Sequence, residues 1–434
     1  EALTTADFLD PVPILKNLAR GSQKGGDAKQ TTALNQPKAL PLIDGDGYLY
    51  LSGITGNSAT IPHDSSLNLT NQLEVVARIK YRSYSGADAQ SIVTKWASGD
   101  FNFRFATSGY LQIYFKDSTN ITRNSTSAYA VYNNNISDGD TIWVKMTIDA
   151  ASTSTEVDFY TSKDNVKNEE DVTWTALGTT RYITTNSGIS SGPNPVSFGA
   201  FDNSGAINDD LATGAVLKAN YKDAIGGTPV LDVDFTATNV RHNDTKFKCA
   251  TGQVVTINQS GNDPATIIKK PVLRFDGTND FFTGLLGQSI NSGHIFVSFS
   301  WLGSGGDSWA RPFGVHKTGE LDYASGGFVL RRFSSTENLI VTQNSSTLLT
   351  HLDMVDSDLG DMLVDFKISS GDTDSKINNA DLKTSSTTTD TDASNFNIAA
   401  MDDGQLNAAI DLEYLALFDA TITDAQAEDV RNYI

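Results

Sequence analysis

Apolar and polar residues alternate with a period of two along most of this chain. Leu73-Glu74-Val75-Val76-Ala77-Arg78-Ile79-Lys80-Tyr81 reads as a strand with one apolar face, and so do Phe101 to Phe105 and Tyr110 to Phe115. Turn-forming clusters separate them: Ser85-Gly86, Ser98-Gly99-Asp100 and Ser108-Gly109. Thr141 to Ile148 and Glu156 to Tyr160 predict a hairpin, and Val196 to Ala200 and Ala215 to Tyr221 predict further strands. The pattern then repeats from His294-Ile295-Phe296-Val297-Ser298-Phe299 to Ala409 through Phe418. Helical periodicity enters only at the end, where Thr423-Asp424-Ala425-Gln426 is a capping box opening a short helix.

The strands fall into two sets of similar order. Asp46-Gly47-Tyr48-Leu49-Tyr50-Leu51 opens one and Arg274-Phe275-Asp276-Gly277 through Asp280-Phe281 opens the other. Residues 73–81 match 294–301 in place and kind, 101–105 match 327–333, and 196–200 match 396–400. Each set also holds a Gly-Asp strand, Gly139-Asp140-Thr141-Ile142-Trp143 and Gly360-Asp361-Met362-Leu363-Val364. Four segments follow: an N-terminal arm and linker, 1–45; a first β domain, 46–224; a bridging β segment, 225–270; and a second β domain, 271–434. The arm has an apolar end (Phe8, Leu9, Ile14, Leu15, Leu18) and a Gly-rich linker at Gly21 to Gly26. It reads equally as a tether to a neighbouring subunit and as a strap on its own domain. The bridge reads as an appendage or as the completion of the first domain.

This order resembles the laminin G-like, concanavalin A-like jelly rolls. The resemblance is carried by Phe275-Asp276-Gly277 with Asp280-Phe281, by the Gly139–Tyr160 strand and hairpin, and by the strand from Ile410 to Phe418 with its Thr-Asp-Ala-Gln helix. It implies an all-β chain of two antiparallel jelly-roll sandwiches with an N-terminal arm and a short C-terminal helix. Such domains are commonly sugar- or protein-binding modules, with β-glucanases and lyases among related folds. Residues 221–230 and 251–258 further resemble phage-encoded virion proteins of this fold.

Charge narrows the partners. The 434 residues carry 32 basic and 52 acidic side chains, a net charge of −20, which opposes nucleic acid as the partner. No apolar run approaches the roughly 20 residues a membrane span needs. Cys249 is the single cysteine, so no intrachain disulfide forms.

Candidate chemistry is sparse. Glu156 with Asp158 and Asp232 with Asp234 each place two carboxylates on one strand face, yet neither pair has the third acid of the related glucanases, so no catalytic residue is assigned. Calcium is the one metal the loops suit, through Asp44 and Asp46 or Asp276 and Asp280. Sugar recognition would use an aromatic platform beside polar groups: Trp309 with Arg311, or Tyr84. Trp96, Trp143 and Trp301 lie in strand patterns and read as core; Trp174 stays open.

The expectation is a non-enzymatic virion or extracellular-surface structural protein, a phage decoration protein, fibre or adhesin with glycan-binding-type domains. It would form oligomers, docked to other virion or surface subunits through residues 1–20, with host glycans as ligands and no cofactor other than calcium. The alternatives are a polysaccharide hydrolase or lyase of this fold, and a decoration protein with no ligand.

Overall fold

The computed structural model describes the chain except residues 1–13, 16–27, 31–35, 97–99, 186–187, 204–205, 262, 291, 307–309, 318–326, 333–338, 344–345, 352–360, 370–371, 379–382, 387–392, 401–406, 419–421 and 434. It forms two units. One comprises Leu42–Ser260 and Pro264–Lys269; the other comprises Lys270–Ile434 with Gly261–Asp263 and the described residues of Glu1–Pro41. They are called here the first and second rolls.

Each roll is a pair of antiparallel sheets, and the alternation seen in the sequence decides which side chains they enclose. Tyr110–Lys116 shows it plainly, with Leu111, Ile113 and Phe115 fully buried between half-exposed neighbours. In the first roll the inward residues of both sheets form one core that includes Val75, Phe103, Ile113, Val144, Val157, Val216 and Val233. The second roll has its own core, from Leu273, Phe275, Val297, Phe299, Phe313, Val364 and Ile410.

The duplication extends to strand order. One sheet of the first roll runs Thr122–Ala130, Tyr110–Lys116, Phe101–Phe105, Gln90–Lys95, Val196–Phe198, Ser58–Ile61, Val254–Asn258 and Lys246–Lys248. Its counterpart runs Ser346–His351, Leu339–Gln343, Phe328–Arg332, Phe313–His316, Ala393–Ile398, Phe282–Ile290, Ala28–Lys29 and Ile14–Leu15. The other sheet of the first roll runs Thr175–Ala176, Ser154–Ser162, Ile142–Asp149, Gln72–Tyr81, Thr213–Lys222, Tyr48–Ser52 and Thr266–Ile268. That of the second runs Lys383–Ser386, Asp372–Ile377, Asp361–Ser369, Gly293–Gly306, Ala408–Phe418, Val272–Asp276 and Lys38–Leu40. The two lists match strand for strand; the first roll's sheet adds Arg181–Thr184 beside Ser154–Ser162 and Leu231–Asp234 beside Thr213–Lys222, with no counterpart among the described strands of the second.

The order also moves the landmarks of the repeat. Asp46-Gly47 precedes its strand, whereas Asp276-Gly277 closes one. The true counterpart of Gly277 is Gly53, at the end of Tyr48–Ser52. Both are left-handed, at φ +69° and +76°. A Cβ on Gly277 would stand 2.8 Å from the Ala409 amide nitrogen, and one on Gly53 2.2 Å from Thr213 Oγ1. Asp276 pairs with Ala409 and Ser52 with Thr213, so the two glycines turn against the same partner strand in each roll.

The bridge completes the first roll. Leu231–Asp234 pairs with Thr213–Lys222, Val254–Asn258 with Ser58–Ile61, and Thr266–Ile268 with Tyr48–Ser52. The described strands of the arm pair with the second roll: Lys29 opposite Thr283, and Lys38–Leu40 along Val272–Arg274. The C-terminal helix, Asp424–Tyr433, begins at the expected capping box, with Gln426 N–H donating to Thr423 Oγ1 at 3.2 Å and Thr423 N–H to Gln426 Oε1 at 2.9 Å.

Candidate functional site

Outward-facing residues of the larger sheet of the first roll line up across its strands. Lys145 is register partner to Tyr160 on one side and Val76 on the other; Val76 pairs with Asn220, and Asn220 with Asp232. The adjoining row is Asp158, Thr147, Glu74 and Lys222. Period two puts these on one face because their neighbours Phe159, Met146, Val75 and Tyr221 are buried in the core.

The segment from 163 to 174 is fastened over this face. The Trp143 indole donates to Val166 O at 3.3 Å, and Arg78 donates to Asn165 Oδ1 at 2.9 Å. Asn220 and Lys222 donate to the Glu169 carboxylate at 2.9 and 2.6 Å, and Lys222 also reaches Glu74 at 2.6 Å. Burial acts to lower the Lys222 pKa, but its bonds to Glu169 and Glu74 outweigh burial and hold it above the usual value.

Where this cover ends, three polar groups stand together. The Lys145 ammonium lies 4.8 Å from the centre of the Tyr160 ring and 4.4 Å from that of Trp174. All three side chains are half-buried. Burial pulls the Lys145 pKa down against the pull of Glu74 and Glu169; burial and the Asp158 charge push the Tyr160 phenol up. Among the described residues, neither the Tyr160 hydroxyl, the Trp174 indole N–H nor the Lys145 ammonium makes a hydrogen bond. The arrangement offers two ring systems, a cation and unengaged donors to a ligand that is part apolar and part hydroxylated. Trp174 gave no signal in the sequence because a tryptophan between turns looks the same whether it docks or dangles.

A second recess lies at the rim of the same roll. It is an open cavity of about 710 Å³, bordered by Arg82, Asp88, Gln90, Thr107, Asp209 and Thr213. Its floor is tied by Arg104, which donates to Asp210 at 2.5 Å, and by Ser91 N–H, which donates to Asp210 O at 2.7 Å.

The residues singled out in the sequence are scattered. Tyr84 is not a platform: its ring is fully buried, 4.9 Å from the Phe105 ring, and its hydroxyl donates to Asp140 O at 2.6 Å. The ring packs inward between Tyr81 and Phe105, and its own amide is held by Asp138 at 2.8 Å. Arg311 is 2% exposed in the second roll, so its guanidinium is structural; Trp309 lies outside the described residues. Trp301 is core, as expected; Trp143 is buried too, but on the outer face beneath the 163–174 segment, and Trp96 is half-buried beside Phe201 with Lys116 5.7 Å from its ring centre.

The acidic loops divide. Asp44 and Asp46 serve a buried cation of the protein itself: Arg78, 1% exposed, donates to Asp44 at 2.7 Å and Asp46 at 3.4 Å, and Lys167 donates to Asp46 at 2.5 Å. Both carboxylates are thus engaged by cationic side chains of the same roll. Asp276 caps its own turn, accepting from Thr278 and Asn279 amides at 2.8 and 3.3 Å, and Asp280 accepts from the Asp276 amide at 3.1 Å. Burial, reinforced by the Asp276 charge, pushes the Asp280 carboxyl up to about 7. Among the described residues no three His, Cys, Asp or Glu side chains are grouped to hold a metal ion.

The paired carboxylates sit on strand faces as the alternation required. Glu156 is exposed and Asp158 half-buried, flanking the buried Val157; Asp232 and Asp234 flank Val233. Asp234 accepts from Lys218 at 2.9 Å. Burial, then the Asp234 charge, raises the Asp232 carboxyl.

No family model matches this chain, and no curated protein matches it. Among solved structures, the LG1-3 region of the laminin alpha2 chain is similar at TM-score 0.31 and 11% identity, covering 88% of this chain and 64% of that one. This chain thus spans less than two thirds of that fragment. A heptameric SAP-like pentraxin from Limulus polyphemus gives TM-score 0.28 and 15% identity over 42% of this chain and 78% of that one. The CBM40 of the Ruminococcus gnavus IT-sialidase, bound to alpha2,3 sialyllactose, gives 0.25 and 11% over 40% and 92%. The assignment of two jelly-roll sandwiches rests on this chain's own strand order.

Proposed function

We propose that this chain is a non-enzymatic glycan-binding protein of a virion or extracellular surface. The observation that carries the reading is the half-open cluster of Tyr160, Lys145 and Trp174, with its three unengaged donors. Aromatic faces take the apolar side of a sugar ring, and the flanking donors take its hydroxyls. The acidic surface argues for a neutral glycan, since the chain carries −20 overall. The virion setting rests on the resemblance of residues 221–230 and 251–258 to phage-encoded virion proteins of this fold. Calcium is a further part of this proposal, at the Asp276–Asp280 loop, where two carboxylates stand together, and calorimetric titration with calcium chloride on the unaltered chain and on Asp280→Asn tests it.

The experiment for the main reading is a glycan array probed with the intact chain, followed by Trp174→Ala and Tyr160→Ala. Binding that each substitution weakens about tenfold, with unchanged thermal unfolding, is the expected result. A silent array, or binding indifferent to both, overturns it.

A second reading, a polysaccharide hydrolase or lyase, is favoured by Asp232. A carboxyl raised by burial next to a second carboxylate is suited to general acid chemistry. Release of reducing ends from a polysaccharide panel, lost in Asp232→Asn, would establish it in place of the binding role.

A further inference from the structure

The two rolls are completed by the same three strands in the same three places, but from different parts of the chain. The first is closed by the residues that follow it, Lys246–Lys248, Val254–Asn258 and Thr266–Ile268. In the second, those places are filled by Ile14–Leu15, Ala28–Lys29 and Lys38–Leu40, which in sequence lie on the far side of the entire first roll. Ala39 and Leu40 are fully buried there, Ala39 within the second core, and Lys38 donates to Asp263 at 2.7 Å.

Each closing segment is followed at once by the opening strand of the other roll. Residues 41–47 separate Lys38–Leu40 from Tyr48–Ser52, and residues 269–271 separate Thr266–Ile268 from Val272–Asp276. Both hinges carry a proline, Pro41 and Pro271. A proline in the hinge restricts the preceding residue's backbone and lacks an N–H to donate, which disfavours a tight hairpin with the strand that comes next. The last closing strand of each roll instead pairs with a strand more than 200 residues away in sequence.

We propose that Ile14–Leu15, Ala28–Lys29 and Lys38–Leu40 are donor strands, and that the second roll's acceptor edges, Val272–Asp276 and Phe282–Ile290, take those strands equally from a second copy of this chain. Ladder pairing uses backbone groups, so a second copy's segment makes the same bonds. Within one chain the segment closes its own second roll. Between crowded copies the same pairing joins the donor of one to the acceptor of the next, a head-to-tail contact between unlike surfaces. The inference is independent of the glycan reading, which concerns the first roll.

The register gives the test. Lys29 is the partner of Thr283, which is half-exposed. In a Cys249→Ser background, Lys29→Cys and Thr283→Cys are introduced together in one chain, and singly in two chains that are mixed, unfolded, co-refolded at high concentration and oxidised. The double variant is expected to form an intrachain disulfide when dilute, showing that the fold is kept. The mixed single variants are expected to give an interchain dimer linking position 29 to position 283. Ala39→Asp in the donor chain should reduce its yield at least tenfold. Absence of the mixed dimer above the level of each single variant alone overturns the proposal, whether or not the intrachain link forms.

Discussion

The two rolls share a strand order and differ in what covers the outer face of one corresponding sheet, the one holding Gln72–Tyr81 in the first and Gly293–Gly306 in the second. In the first, the face is covered by the 163–174 segment, held by Asn165, Val166 and Glu169, and its margin stays open at Tyr160, Lys145 and Trp174. In the second, His294, Phe296, Ser298 and Ser300 on the equivalent strand are all buried. His294 stacks on Phe296 at 4.6 Å, Phe296 meets Phe418, and Asp365 is paired with both His294 and Arg431 of the C-terminal helix. One scaffold thus presents a partly open polar face and a closed one. A jelly roll's strand order says nothing about binding; the segment laid over the sheet does.

The same contrast holds for buried charge. In the first roll, Arg78 divides its guanidinium among Asp44, Asp46 and Asn165. In the second, Arg274 is fully buried and commits both Nε and Nη2 to Asp411, at 2.8 and 2.7 Å, with Asp411 fully buried as well. A committed pair breaks harder than a shared one. Asp411→Ala should therefore destabilise the second roll by about 3–5 kcal/mol, because it removes both charge-assisted bonds from a fully buried guanidinium, while Asp44→Ala should cost about 1 kcal/mol or less. Urea unfolding followed by hydrogen exchange in each roll measures both, and equal losses would remove the distinction.

A smaller effect concerns pH and is largest in the second roll. Asp280 titrates near 7 when folded against 3.8 unfolded, so the folded state binds more protons between those values and stability falls as pH rises through that window. Asp280→Asn, which can still accept from the Asp276 amide, should raise stability at pH 8 by about 2–4 kcal/mol and have little effect at pH 4. Thermal melts of both chains across that range check it; parallel profiles would show that Asp280 is not the group responsible.

Loss of a ring from the open margin should matter to ligand and not to fold. Trp174→Ala is expected to weaken glycan binding about tenfold, roughly 1.4 kcal/mol, with the unfolding midpoint nearly unchanged. The smallest expected change is at the helix that secures the second roll: Thr423→Ala removes one side of the capping box and should cost about 1 kcal/mol of local stability, read as faster exchange of the helix amides.

Much of this architecture was legible because period-two alternation reports burial directly. The strands at 73–81, 101–105 and 110–115, the 142–162 hairpin and the capped helix all follow from side chains that must face one way. The partners of the closing segments were not legible. Lys38-Ala39-Leu40 and Thr266-Ile267-Ile268 each look like the first strand of the domain they precede, and nothing local distinguishes pairing with the next strand from pairing with one more than 200 residues away. The site was less visible still. Tyr84 was chosen for its turn and proved buried, Asp44 and Asp46 were chosen for their spacing and proved to hold Arg78, and Trp174 acquires meaning only from Lys145, 29 positions earlier.

By itself, the sequence determined that this chain is a duplicated set of half-buried strands, since alternation and turn residues act over a few positions and need no partner to be read. Tertiary structure decided which roll each closing segment completes and which outer face stays partly open. Both depend on long-range pairing, where proline-stiffened hinges and a single fastened loop choose among arrangements that are locally equivalent.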